Sequence, residues 1–162
     1  YDDKARSRGK LCDDLLRAST VENAHSLLRD TYKTHDYEGF NVIVGSPDDC
    51  FVGINDGDLR LTEPEEGFNV VTNSPFDDPS TKTERVADVV PDPYAHETPD
   101  DWLEATSPLL ADHERNVCVH EEGRGTTSSN LLYVAPDARE SSWLFADGHP
   151  CENSYVEYAH QP

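Results

Sequence analysis

Three groups of side chains in this sequence have types and spacings that could do chemistry. The first is Asn73, within Thr72-Asn73-Ser74-Pro75. An amide at the tip of a strand running from Gly67 to Asn73, held by a Ser-Pro turn, can donate a hydrogen bond to a carbonyl oxygen on which negative charge develops. The same amide can equally cap its own turn. The second group is the glycine loop Gly123 to Asn130, whose hydroxyls Thr126, Ser128 and Ser129 could line a substrate pocket. It lacks the Gly-Lys-Ser/Thr end of a phosphate-binding loop, and glycine loops also serve as plain connections. The third is a mirrored pair, Cys118-Val119-His120 and His149-Pro150-Cys151, which holds four zinc-type ligands. Structural zinc sites space their ligands two to four residues apart, and a one-residue gap in a strand points two side chains to opposite faces. The mirrored pair is therefore read as two buried thiols and two surface histidines, and no metal or cofactor is expected.

No Ser or Cys lies in a nucleophile elbow. His25, His35, His96, His113 and His160 stand in polar surroundings and are read as surface residues, whereas Cys12 and Cys50 are read as buried. The residues alone thus offer oxyanion donors and no nucleophile.

The elements that would position these groups follow from periodicity. Leu11, Leu15 and Leu16 fall on one helical face between Arg8 and about Ala18, and Val21, Ala24, Leu27, Leu28 and Tyr32 on another, opened by a capping box from Ser19 to Glu22. Four short strands follow, at 40–44, 50–54, 59–62 and 67–73, joined by turn signals such as Asn55-Asp56-Gly57-Asp58. Ser80 or Thr81 opens a short helix to about Val89 with Arg85 in its middle, Pro91 to His96 is a stiff loop, and Thr98-Pro99-Asp100-Asp101 starts a helix that Pro108 kinks or interrupts. Strands at 117–120, 131–134, 142–146 and 155–158 complete a single α+β domain over 1–162.

Composition narrows the function classes. Against 13 Lys and Arg stand 33 Asp and Glu, a formal charge of −20. That field repels phosphate backbones and anionic lipid surfaces, so neither nucleic acid nor membrane is an expected partner; a small-molecule substrate or ligand is. Acidic pairs such as Asp13-Asp14, Asp48-Asp49, Asp77-Asp78 and Asp100-Asp101 are spread along the chain, and with so few Lys the sequence resembles the surface of a protein from a salt-loving archaeon. No apolar run has the length of a membrane span, and four scattered Cys suit a reduced, cytoplasmic protein. The chain has no Met and starts at Tyr1-Asp2-Asp3-Lys4, so it is expected to be part of a longer protein.

Four segments carry a family resemblance, in order: Ser7-Arg8-Gly9, Tyr37 to Val44, Gly67 to Asn73, and Gly125-Thr126-Thr127-Ser128-Ser129. Together they resemble the later part of the Asn-Arg-Asp-Glu (NRDE) family, also called the Transport and Golgi organisation protein 2 family. Thr127 departs from the family's Gly-Thr-Arg-Ser-Ser pattern, which weakens an anion-binding role for the loop. The resemblance implies the four-layer αββα sandwich of N-terminal-nucleophile hydrolases, in which the α-amino group of an N-terminal Cys is the base for its own thiol. Thr72-Asn73-Ser74-Pro75 is also similar to a segment of the bile-salt and penicillin V acylases whose Asn helps form the oxyanion hole. The match thus implies Asn73 as oxyanion donor, Arg85 as a weaker candidate for an active-site arginine, and an amide hydrolase or acyl transferase. The Cys and the Asn-Arg-Asp-Glu motif are absent from this sequence, so this chain alone is expected to be inactive. A non-enzymatic binding or trafficking protein, handling lipid, acyl-CoA or haem, is the alternative that the family's eukaryotic members suggest.

Overall fold

A computed structural model describes residues 5–71 and 84–158. The chain divides into two compact units, Tyr1–Pro79 and Ser80–Pro162.

The first unit opens with α1 (Arg8–Leu16) and α2 (Val21–Thr34), followed by the antiparallel sheet β1 (Phe40–Gly45), β2 (Cys50–Asn55) and β3 (Leu59–Thr62) in the order β1-β2-β3. Leu11, Leu15, Ala24, Leu28 and Phe51 form its core, flanked by Val21, Phe40, Val42, Val44, Leu59 and Leu61. The alternation of the strands explains that list: one face of β1 and β2 meets the helices, the other does not, and Ile43 on the far face is exposed. Gly53 sits where the helix layer comes closest, since a Cβ there would lie 2.9 Å from Leu28 Cδ2. Buried Asn55 is satisfied locally. Its amide donates to the carbonyls of Tyr37 and Glu38, and its oxygen accepts from the Gly57 N–H.

The second unit contains a helical segment at 84–87, a 3₁₀ turn (Pro93–Ala95), α3 (Pro99–Leu110), the hairpin β4 (His120–Glu121) and β5 (Arg124–Gly125), and the antiparallel sheet β6 (Ser128–Tyr133), β7 (Ser142–Asp147) and β8 (Val156–Glu157). A second 3₁₀ turn (Ala138–Glu140) joins β6 to β7. Buried Leu103 of α3 and Leu131 of β6 belong to its small core, with Ala135 and Ala146.

The mixed class and antiparallel pairing agree with the expected α+β fold, and several details differ. Leu16 is exposed, because Leu11 and Leu15 alone face the core. Thr20, not Ser19, caps α2 by accepting from the Asn23 N–H, while Ser19 accepts from the Asn23 side chain. Residues 63–71 form no strand: Gly67 has φ +107°, and the Asn69 amide bonds to the carbonyls of Glu65 and Gly67, a local alternative to a sheet ladder. Pro93 opens a 3₁₀ turn capped by Asp92, so the Pro91–His96 segment is partly regular. Pro108 does not interrupt α3, which runs on to Leu110. The proline leaves the carbonyl of Glu104 without its helical N–H donor, and the Ser107 hydroxyl donates to that carbonyl at 3.0 Å instead. The glycine loop is split between β5 and β6, and of the strand expected at 117–120 only its end, His120, is β structure.

Candidate functional site

Within the second unit, three irregular segments bring their side chains to one point. The first runs from Asp112 to Cys118 just after α3. The Asp112 carbonyl accepts the N–H groups of Val117 and Cys118, its carboxylate accepts the Arg115 N–H and pairs with the Arg115 guanidinium, and Asn116 takes a positive φ of 55°. These bonds curl the chain so that His113 and Cys118 face each other. The Arg115 N–H, followed by its guanidinium, holds the Asp112 carboxyl below the usual carboxylate range. The second segment is Val119 and the β4–β5 hairpin, with Gly123 at φ +81° in its turn. Val119 is clamped from both sides of its peptide unit, donating to Thr126 Oγ1 at 3.1 Å and accepting the Thr126 N–H at 2.9 Å, which sets Cys118 and His120 on either side of it. The third is the turn after β7, where the His149 carbonyl accepts the N–H groups of Glu152 and Asn153 and presents Cys151.

The result is a cluster of His113, Cys118, His120 and Cys151 whose ligand atoms lie within 4.8 Å of one another. Cys118 Sγ is 3.7 Å from Cys151 Sγ, and His120 Nε2 is 3.5 Å from the first sulfur and 3.2 Å from the second. Cys118 is buried, the other three are exposed at the residue level, and all four cysteines of the chain are free thiols. His113 Nδ1 lies 2.9 Å from the Cys118 carbonyl. A carbonyl only accepts, so Nδ1 carries the hydrogen and Nε2 keeps its lone pair. Although Cys151 is exposed as a residue, loss of water around its sulfur, followed by the Cys118 thiol beside it, holds the Cys151 thiol above its ordinary range. His149, the fourth member of the sequence pair, is not a member of the cluster. Its ring stacks on that of His120 at 3.7 Å, and its buried Nδ1 has no hydrogen-bond partner.

The expectation of divergent side chains at 118 and 120 therefore fails for a physical reason. Cys118 lies in a bend before β4, where the strand rule does not hold. Reading Cys151 and Cys12 as buried is likewise corrected, since both are exposed, and Cys50 is half-buried. His113 is exposed, as its polar surroundings imply, and it joins the cluster all the same; its place five residues before Cys118, in a loop opened by Asp112, is the signal in the sequence.

The other sequence candidates are scattered. Asn73 lies outside the described residues. Arg85 is exposed in the 84–87 segment, and its carbonyl accepts from Arg115 Nε at 3.2 Å. Thr126 is the clamp on Val119, Ser128 is exposed at the start of β6, and Ser129 accepts a hydrogen bond from the Tyr155 hydroxyl at 2.7 Å. Burial pushes the Tyr155 phenol up. An open groove of 640 Å³ is lined by Asp100, Glu104, Ser142, Cys151 and Tyr155 among others, and by none of Thr126, Ser128 and Ser129.

The sequence matches the family model described as Transport and Golgi organisation 2 over residues 1–139. The chain belongs to the Transport and Golgi organisation 2 family. No curated protein and no solved structure matches it significantly. In this Transport and Golgi organisation 2 chain, His113, Cys118 and His120 fall inside the matched stretch and Cys151 beyond it. Among the described residues no helix is long and apolar enough to cross a membrane.

Proposed function

We propose that this chain is part of an amide (C–N bond) hydrolase or acyl transferase of the N-terminal-nucleophile type, whose cysteine nucleophile is not among its residues. The observation that carries this reading is the family match over residues 1–139, which includes Thr72-Asn73-Ser74-Pro75. On this reading Asn73 donates to the oxyanion of the tetrahedral intermediate and Arg85 is a weaker candidate for an active-site arginine. Each unit has helices and a three-stranded antiparallel sheet.

The test is hydrolysis of a panel of N-acyl amides in high salt by the protein translated from the complete reading frame. Turnover that falls about 100-fold in Asn73→Ala supports the donor role, and unchanged turnover refutes it. A non-enzymatic binding protein is favoured by one observation. Leu132, Trp143, Val156 and Tyr158 leave an exposed apolar patch on the β6–β8 sheet, with the Trp143 and Tyr158 rings 4.5 Å apart. Saturable binding of an acyl-CoA or haem without turnover of any amide would favour that reading over hydrolysis.

A further inference from the structure

We propose that His113, Cys118, His120 and Cys151 bind one zinc ion in a closed, four-coordinate structural site. The inference goes beyond the hydrolase reading and does not depend on it. Two thiolates and two imidazoles are the donor set of a Cys₂His₂ site, the separations among Cys118, Cys151 and His120 fit the metal, and the His113 donor lies within 4.8 Å of the other three. Zinc bonds of about 2.3 Å to sulfur and 2.0–2.1 Å to nitrogen, arranged as a tetrahedron, put two sulfurs roughly 3.8 Å apart and a sulfur and a nitrogen roughly 3.5 Å apart. The observed separations are 3.7 Å between the sulfurs and 3.5 and 3.2 Å from His120 Nε2 to each of them. A disulfide is a different object: its sulfurs would stand about 2.05 Å apart.

The surroundings are built for the same purpose. The hydrogen bond from His113 Nδ1 to the Cys118 carbonyl fixes the tautomer that leaves Nε2 free, the usual second partner of a metal-bound imidazole. The stacked His149 ring restrains His120, and the Thr126 clamp holds the Val119 peptide between Cys118 and His120. Binding releases the two thiol protons, and the two thiolates offset the charge of the cation, so no uncompensated charge is left beside buried Cys118. All four positions are filled by protein, with no open place for water or substrate, which marks a structural and not a catalytic ion. The ion would join the His113–His120 segment to the turn after β7, a closure over about 30 residues in a unit whose apolar core is small.

The chain, produced with zinc in the medium and purified in high salt, is expected to carry one zinc per molecule by metal analysis. Replacement by cobalt(II) is expected to give thiolate-to-cobalt charge-transfer bands and the strong d–d absorption of a tetrahedral ion. Cys151→Ser and His120→Ala, both at exposed positions, are expected to lose the stoichiometric zinc, as is Cys118→Ser, whose burial makes it the variant prone to misfold. Cys12→Ser and Cys50→Ser are expected to keep one zinc. Folded protein with no bound zinc, whether its Cys118 and Cys151 are free thiols or a disulfide, overturns the proposal. So does a full zinc complement in both Cys151→Ser and His120→Ala.

Discussion

At the residue scale, the tightest point in the first unit is the approach of Gly53 to Leu28. Leu28 is fully buried, so Leu28→Ala is expected to cost about 2–5 kcal/mol through lost burial and the cavity it leaves. Gly53→Ala drives its new methyl against Leu28 Cδ2 and Val42 Cγ1, at 2.9 and 3.0 Å, and is expected to cost about 1–3 kcal/mol. Combined, the two changes relieve each other, because the methyl at 53 grows into the space vacated at 28. Denaturant melts of the double-mutant cycle should give a destabilisation smaller than the sum of the two singles. Elsewhere, Asp137 caps the 3₁₀ turn between β6 and β7, and the Arg139 side chain, then its N–H, holds the Asp137 carboxyl below the usual carboxylate range. A folded-state pKa below the unfolded one stabilises above the unfolded value and is lost as pH falls through the folded one. Asp137→Asn should therefore flatten the acid limb of a thermal-melt series and leave its neutral limb nearly unchanged in slope.

At the element scale, α3 depends on its first turn. Thr98 accepts from the Asp101 N–H, Asp101 accepts from the Thr98 N–H, and Pro99 stands at the first helical position. Thr98→Ala removes one half of that box and is expected to lower stability by about 1 kcal/mol, read as a shift in the denaturation midpoint without a change in slope. The capped start of this helix was legible in the sequence, as were α1, α2, β1 to β3, the later part of β6, and β7, because each rests on local periodicity closed by strong turn or cap residues. What escaped depended on partners distant in sequence or on hydrogen bonds that periodicity does not encode. The Asn69 side chain competes with a strand after Gly67, and Asp112 collects two backbone N–H groups to make a bend where Val117-Cys118-Val119-His120 reads as β. The candidate metal cluster was half legible for the same reason. Cys118, His120 and Cys151 are visible as ligand types, but only the Asp112 bend brings His113 in and only the stacking on His120 takes His149 out.

At the scale of the whole molecule, the acidic charge makes a prediction about salt. The net charge is −20, and among the described ion pairs Arg17–Asp13, Lys33–Asp30 and Arg60–Asp56 are exposed pairs three or four residues apart, each worth about 0–1 kcal/mol. Repulsion among the remaining carboxylates is expected to outweigh them. Salt shortens the screening length from about 10 Å at 0.1 M to about 3 Å at 1 M, so it weakens the repulsion more than it weakens these close pairs. The melting temperature is expected to rise from 0.1 to about 2 M sodium chloride, and a flat or falling response would reject the argument. A chelator added at fixed high salt separates the other contribution. It should lower the melting temperature of the wild type and leave Cys151→Ser unmoved.

The bond from Ser107 to the Glu104 carbonyl ties two neighbouring positions together. A proline at 108 is tolerated in α3 because a hydroxyl one residue earlier stands in for the lost backbone donor, so the two positions are not free to drift independently. Ser107→Ala should cost about 0.5–1 kcal/mol in the present background and next to nothing once Pro108→Ala restores the N–H. With the serine in place, the proline at 108 costs less than it would without it, by about the worth of that one hydrogen bond. Position 107 is thus coupled to position 108, and a change at either one alters what the other contributes to α3.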